Sequence, residues 1–204
     1  MVSLFTELPL PGGIVHSAGM LHDERIDDIK LSSFKDVFAA KAQGAQYLLD
    51  EVIQRQLQLA CFVVFSSIVT VLGNEGQVSY GMANAYLDGL RLYARSQQVP
   101  MQVINWGAWA GEGMAAKLVS QKAQSAIKAI SLNDGMEALE YALQTGVDQL
   151  VYAEADWDAL INLRADYDVL LSQLGKIKPA ELYHALLNVD SGERESLLHD
   201  WLIV

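Results

Sequence analysis

Leu59-Ala60-Cys61-Phe62-Val63-Val64-Phe65 is a nearly continuous run of apolar residues, rich in β-branched and aromatic side chains. A strand with one wet face alternates polar and apolar positions. A run without alternation suits a strand covered on both faces, as in a parallel sheet sandwiched by helices. Upstream, Gly13-Ile14-Val15-His16 is a short apolar run beside glycines and reads as another buried strand. Downstream, Gln102 to Asn105 and Leu150-Val151-Tyr152-Ala153 read as two more.

The stretches between these strands carry helical spacing. Asp27 to Gln54 places Ile29, Phe34, Val37, Phe38, Ala45, Leu48, Leu49 and Val52 on one side. Two helices divided near Leu31-Ser32-Ser33 are expected there, with Ser32 or Ser33 as N-cap. Ser79 to Gln98 is a helix ending before Pro100, and Ser131 to Thr145 another, with Asn133 to cap it and Gly146 to end it. Gly73-Asn74-Glu75-Gly76 is a loop, and Gly107, Gly111 and Gly113 break the chain after the third strand. Strand and helix alternating at these lengths imply crossover connections and a parallel sheet, hence an α/β fold.

Composition bounds the chemistry. At roughly 150 residues per domain, 204 residues make one domain and a fraction. Fourteen Lys and Arg against 25 Asp and Glu leave a net charge of −11, and the pI is near 4.6. Nucleic acid and anionic membranes need a basic face, so both are excluded as partners. With 51% hydrophobic and 19% charged residues the chain is not of disordered type. The single cysteine, Cys61, rules out an internal disulfide and a cysteine-clustered zinc site, and is expected as a buried inert thiol. No apolar stretch reaches the roughly 18 residues of a membrane span, and the N-terminus lacks a signal-peptide pattern. A cytoplasmic location is the expectation. Asp156-Trp157-Asp158 has paired acids but no third ligand nearby, so no metal site is expected.

The pattern changes near Lys176-Ile177-Lys178-Pro179. Beyond it, Glu181 to Val204 reads as helical pieces divided by Asp190-Ser191-Gly192. Asp190 with Glu193 fits a capping box for a final helix carrying Leu197, Leu198, Trp201 and Leu202. The expected organisation is therefore 1–175 as the α/β part and 176–204 as a linker with a helical tail. The close on Trp201-Leu202-Ile203-Val204, without a polar stop, reads as a chain cut there.

Four residues can carry chemistry together. Tyr80 and Asn84 stand one turn apart on a helix face. Ser66 and Ser67 end a buried strand, where open parallel sheets place ligand sites. Lys41 is a lone cation in Ala39-Ala40-Lys41-Ala42-Gln43-Gly44-Ala45. Taken singly, a strand-end serine also reads as a local cap and a helical tyrosine as half-buried packing. Taken together, a phenol can protonate an oxyanion if an ammonium draws its pKa from about 10 toward neutrality. A serine can hold the carbonyl and an asparagine can order a proton relay. That set is the equipment for reducing a ketone with a nicotinamide hydride.

These residues lie in strings that resemble the ketoreductase domain of bacterial modular polyketide synthases, a branch of the short-chain dehydrogenase/reductase superfamily. The strings are Gly13-Ile14-Val15-His16-Ser17-Ala18-Gly19, Phe65-Ser66-Ser67, Gly76 to Asp88 around Tyr80-Gly81-Met82-Ala83-Asn84, Asn105-Trp106-Gly107-Ala108-Trp109, and Gly113-Met114-Ala115-Ala116. They run in consistent order from Pro9 to about Leu160.

The resemblance implies a Rossmann-like parallel sheet with flanking helices and an NADPH (NADP) cofactor. It implies Tyr80 as proton donor, Ser67 as the carbonyl-orienting serine, Lys41 as the lysine that tunes the phenol and Asn84 as the relay. Most short-chain reductases carry lysine four residues after the tyrosine; Asn84 and Lys41 match this branch's exchanged arrangement. Ser17, Ala18 and Gly19 resemble the cofactor-ribose loop, and Gly107 and Ala108 the loop beside the nicotinamide, with Lys41 and Tyr80 also on the cofactor. Met114 falls in the substrate region. Asp23, in Leu21-His22-Asp23, matches the position of a stereocontrol motif, although His22 departs from it. The tryptophan of the opposite class is replaced by Leu72, so the outcome leans to the D-3-hydroxy product. A plain loop aspartate is the alternative reading of Asp23.

The family's Thr-Gly-Gly-x-Gly-x-x-Gly phosphate turn does not occur in this sequence. The expected fold thus lacks the first strands and the glycine-rich loop, and the Gly13–His16 strand is expected at a naked edge. Gly192 to Leu198 resembles the first helix of an acyl carrier domain, without its phosphopantetheine attachment motif. The implied function is NADPH-dependent reduction of a 3-oxoacyl thioester tethered to an acyl carrier protein by phosphopantetheine. A missing N-terminal half of the ketoreductase would be supplied in cis or in trans. An inert truncated fragment or scaffold half-domain is the alternative, and a dehydrogenase of a small diffusible alcohol is a third. His16 reads either as an acid/base or as a strand-end histidine satisfied by backbone, and Trp106 and Trp109 as substrate contacts or packing.

Overall fold

The computed structural model describes residues 11–111 and 126–163, with backbone alone for 161–163. Met114, the 175/176 boundary and the tail with its Asp190 capping box lie outside the described residues. The chain divides into two compact units, Met1–Ser120 with Lys128–Glu154, and Gln121–Ile127 with Ala155–Val204.

In the first unit, β1 (Gly13–His16), β2 (Cys61–Ser67), β3 (Met101–Trp106) and β5 (Gln149–Tyr152) form one parallel sheet in the order β1-β2-β3-β5. The remaining short strands are β4 (Ile127–Lys128) and β6 (Glu154–Ala155). The helices are α1 (Leu31–Phe38), α2 (Gly44–Arg55), α3 (Val69–Leu72), α4 (Val78–Ser96) and α5 (Leu132–Thr145). The Rossmann-like α/β arrangement expected from the sequence is present, with β1 at an edge among the described residues.

The unbroken apolar runs have the predicted cause. On one face Ile14, Phe62, Val64, Met101 and Val103 pack against Ala45, Leu49 and Val52 of α2 and Leu87, Leu90 and Ala94 of α4. On the other, Val63, Ile104 and Trp106 lie against Ile130 and against Ala138 and Ala142 of α5. All six residues of β3 are buried, because both faces of that strand are covered.

Three local readings differ from the sequence expectation. The helical stretch is not divided at Leu31-Ser32-Ser33. A 3₁₀ turn (Ile26–Asp28) precedes α1, whose N-cap is Lys30 without a side-chain cap bond. The Ser33 hydroxyl donates instead to Glu24 Oε1 at 3.2 Å. From α1 the chain passes through a π-helical turn (Ala39–Gln43) directly into α2. Second, Ser131, not Asn133, caps α5: its Oγ accepts the Asp134 N–H at 3.2 Å. Ile130 is pinned in extended form by backbone bonds to Ala108 (2.7 Å) and Ala110 (2.8 Å), so the helix can start only after it. Gly146 ends α5 with φ +68°, as expected. Third, Cys61 is half-buried, since it opens β2 at the sheet's amino end beside Gly13.

The second unit, by itself, contains α6 (Trp157–Leu163). Asp156 Oδ1 accepts the Ala159 N–H at 3.0 Å and caps its first turn. Among the described residues no helix is long and apolar enough to cross a membrane.

Candidate active site

Lys41 sits in the π-helical turn and is buried there. It is 2% exposed. Its Nζ donates to the Phe65 carbonyl at 2.8 Å and stands 5.5 Å from the centroid of the Tyr80 ring. Burial lowers its pKa to about 8, while the charge of Asp88 acts in the opposite direction. The Lys41 carbonyl accepts from His16 Nε2 at 2.9 Å. A carbonyl partner requires the proton on that nitrogen. His16 is thus the strand-end histidine satisfied by backbone, and burial holds its pKa below the usual value.

The end of β2 is shaped by its serines. Ser67 Oγ accepts the Val69 N–H at 3.2 Å, and Thr70 Oγ1 donates to the Ser67 carbonyl at 3.0 Å, which starts α3. On α4, Asn84 Nδ2 donates to the Tyr80 carbonyl one turn back at 2.8 Å. The Asn84 Oδ1 is buried with no partner among the described residues.

The Tyr80 phenol is pushed above its ordinary pKa, chiefly by burial. The side chains of Ser67 and Asn84 pull it down in part, and the charge of Asp23 pushes it further up. The structure therefore brings Lys41, Ser67, Tyr80 and Asn84 to one place, with Asp23 in electrostatic range. It differs from the expectation of a phenol drawn toward neutrality. Desolvation outweighs its neighbours here, and Lys41 Nζ is hydrogen-bonded to the Phe65 carbonyl.

Asp23 is tied to the approach of α4. Gln77, buried just before that helix, donates from Nε2 to Asp23 Oδ1 at 3.1 Å and accepts from Asn74 Nδ2 at 2.9 Å. Ser17 and Ala18 are exposed and Gly19 half-buried, in the loop leaving the carboxyl end of β1. At the end of β3, Gly107 donates its N–H to the Tyr152 carbonyl at 2.7 Å. A Cβ there would stand 3.0 Å from the Ala153 Cβ, tighter than ordinary van der Waals contact, so a side chain would press its neighbours apart. Trp106 packs among Phe65 (5.3 Å between centroids), Trp109 (4.8 Å) and Tyr152 (5.9 Å), which is the packing alternative of its two readings.

The residues present fit the nicotinamide–ribose end of a dinucleotide. The orphaned Asn84 Oδ1, the Lys41 ammonium and the open Ser17–Gly19 loop supply polar partners, and Gly107 keeps its loop close to the sheet. Three residues in contact with the site, Gln77, Asp88 and Asn105, lie in the strings quoted above but were given no role by the sequence reading. Their contacts join segments far apart in the chain, and no local spacing announces them.

A parallel sheet covered by helices, with a lysine beside a tyrosine and a serine at the strand end, defines a short-chain dehydrogenase/reductase domain. The family model described as "KR domain" matches residues 4–111. The chain belongs to this family, the ketoreductase domains of modular polyketide synthases. It is 36% identical over 148 residues to the spectinabilin polyketide synthase system protein NorB of Streptomyces orinoci, covering 70% of this chain and 7% of that protein. It is 30% identical over 199 residues to the erythronolide synthase EryA3 of Saccharopolyspora erythraea, covering 91% and 6%. Among solved structures, the first ketoreductase of the tylosin polyketide synthase matches with TM-score 0.70 and 31% identity, over 78% of this chain and 35% of that one. The chain thus spans under a tenth of the length of each of these two synthases, and about a third of that ketoreductase chain.

Proposed function

We propose that this chain carries the reducing site for a 3-oxoacyl thioester held on the phosphopantetheine arm of an acyl carrier protein. NADPH is the partner cofactor, and the product is the 3-hydroxyacyl thioester of a growing polyketide. The observation that carries the reading is the approach of the Lys41 ammonium to the Tyr80 ring with Ser67 and Asn84 around the phenol. Membership of the ketoreductase family supports it.

When bound, the cofactor supplies a hydride to the carbonyl carbon. Tyr80, its pKa held high by burial, keeps its proton at neutral pH and delivers it to the oxygen as charge develops there. Ser67 Oγ accepts the Val69 N–H, and its O–H, which faces the Tyr80 oxygen, would donate to the substrate carbonyl oxygen as charge develops there. The Lys41 ammonium favours the phenolate left behind. Asn84, whose buried Oδ1 has no partner among the described residues, would order a water that returns a proton to the phenolate. Ser17, Ala18, Gly19, Gly107 and Ala108 would line the cofactor's ribose and nicotinamide. Asp23, whose Oδ1 accepts from Gln77, and Met114, by resemblance, are the residues proposed for stereocontrol, with a D-3-hydroxy outcome. The location is cytoplasmic.

In the full polypeptide that carries this chain, Tyr80→Phe should lower turnover of a carrier-bound 3-oxoacyl thioester about 10²- to 10⁴-fold, with folding intact by circular dichroism. Undiminished turnover overturns the reading. A second reading, an inert half-domain, is favoured by the lack of a glycine-rich phosphate turn in the sequence. That turn would come from a segment in cis or in trans. Titrating NADPH against the 204-residue chain separates the two: micromolar binding supports a working site, and none supports the inert half.

A further inference from the structure

The helical stretch that carries Lys41 is not an ordinary α-helix. From Ser33 to Leu49 buried positions recur at every fourth residue: Ser33, Val37, Lys41, Ala45 and Leu49. At about 3.6 residues per turn this spacing drifts by about 40° a step. Over the whole stretch a regular helix would turn the buried side through about 160°, away from the sheet. The π-helical turn Ala39–Gln43 returns one residue's worth of rotation, about 100°. Its mark is the Gly44 N–H, which bonds to the Ala39 carbonyl five residues back and to the Lys41 carbonyl. Ser33 and Leu49 thereby both stay on the buried side, with Lys41 midway between them. Nothing in Ala-Ala-Lys-Ala-Gln favours such a turn over a regular helix, so its cause lies outside the segment.

The contact from outside is His16. From β1, 25 residues earlier, its Nε2 donates to the Lys41 carbonyl at 2.9 Å. A side chain inserted into the carbonyl ladder is one of the few physical causes of a break in a helix. Gly44 leaves room for the ring: a Cβ there would stand 3.2 Å from His16 Cε1, tighter than ordinary van der Waals contact. Lys41 is in consequence held at both ends. β1 pairs with β2 so that His16 lies beside Val64, and the next residue, Phe65, accepts from Lys41 Nζ at 2.8 Å. His16 takes the backbone end of the lysine and Phe65 the ammonium.

We propose that His16 is a positioning residue: its ring, seated beside Gly44 and bonded to the Lys41 carbonyl, holds the π-helical turn that brings the Lys41 ammonium to the Tyr80 ring. The proposal deepens the reductase reading and rests on it for the meaning of turnover, but its central measurement does not require turnover. The rival explanation is that His16 merely fills space between β1 and the helices. In that case any ring that fits will serve, and Lys41 is indifferent to the loss of the donor.

The test compares two substitutions in the full polypeptide that carries this chain. His16→Phe keeps a planar ring and removes the donor, whereas His16→Gln keeps an N–H donor at the reach of Nε2. Lysine amines are acetylated with acetic anhydride and followed by mass spectrometry, with the exposed Lys30 and Lys35 as internal references. In His16→Phe, Lys41 should be labelled several-fold faster relative to Lys30 and Lys35. Its kcat should fall about 10- to 100-fold with KM nearly unchanged, as expected when a catalytic group is misplaced rather than lost. His16→Gln should stay close to wild type in both measurements. Unchanged labelling and kcat in a folded His16→Phe overturn the proposal, and so do equal losses in the two variants. Should His16→Phe not fold, Gly44→Ala decides, since it suits a helix better than glycine but crowds the ring. Faster Lys41 labelling there supports the proposal, and unchanged labelling overturns it. Tyr80→Phe keeps the two readings apart: full turnover there fells the reductase assignment, while Lys41 labelling still decides the role of His16.

Discussion

The two faces of the sheet are unequally closed. Helices α2 and α4 cover one face from β1 to β3, and every core position on it is buried, from Ile14 to Val103. On the other face α5 covers β2 and β3, but Cys61 and Phe65 are only partly buried and Val15 on β1 is 55% exposed. Three of the four proposed site residues belong to the closed face, while Ser67 continues the side of β2 that carries Val63 and Phe65. Tyr80 and Asn84 ride on α4, and Lys41 sits in the turn that feeds α2. The proposed site thus takes its rigidity from a packed core.

The contrast predicts where substitutions hurt. Leu87, fully buried on α4 between Asn84 and the sheet core, anchors the closed face. Leu87→Ala should cost about 2–5 kcal/mol in denaturant unfolding, from lost transfer energy and a cavity that close-packed neighbours cannot fill. Because α4 also carries Tyr80, turnover should fall more than the residual folded fraction explains. A cost below about 1 kcal/mol would show that this face is not the tightly packed one.

A smaller effect comes from pH. His16 is buried on the closed face, neutral, with its pKa depressed below the 6.5 of the unfolded chain. Between the folded and unfolded values the unfolded state binds the extra proton, so stability is complete above about 6.5 and declines as pH falls below it. His16→Gln should flatten that slope below about pH 6.5, read as the denaturation midpoint against pH. An unaltered slope would assign the acid sensitivity to carboxylates instead.

What was legible in the sequence follows from how each feature is encoded. The buried strands showed themselves because covering both faces demands consecutive apolar residues, as in Phe62 to Phe65. Tyr80 and Asn84 were visible as a pair because one helical turn separates them. Asp88 and Asn105 were not, since their meeting depends on α4 crossing β3, 17 positions apart in sequence. The Ser131 cap was missed for a related reason. Ser131 and Asn133 are both good caps, and the choice was made by Ile130, pinned to a loop some twenty residues earlier. The π-helical turn at Lys41 has no propensity signal, as Ala-Ala-Lys-Ala-Gln suits an ordinary helix equally well.

The smallest predicted effect probes the open face directly. Val15→Thr keeps the β-branched shape that suits a strand, so the backbone preference barely changes. What changes is a methyl group for a hydroxyl. On a surface in contact with water the hydroxyl is solvated, and the unfolding free energy should stay within about 0.5 kcal/mol of wild type. Under a cover it would lose its water without gaining a partner and cost about 1–3 kcal/mol. The same substitution at Val64, 0% exposed on the closed face, should show that larger cost. Equal losses at the two positions would mean that β1 is covered in solution, and the asymmetry between the faces would disappear.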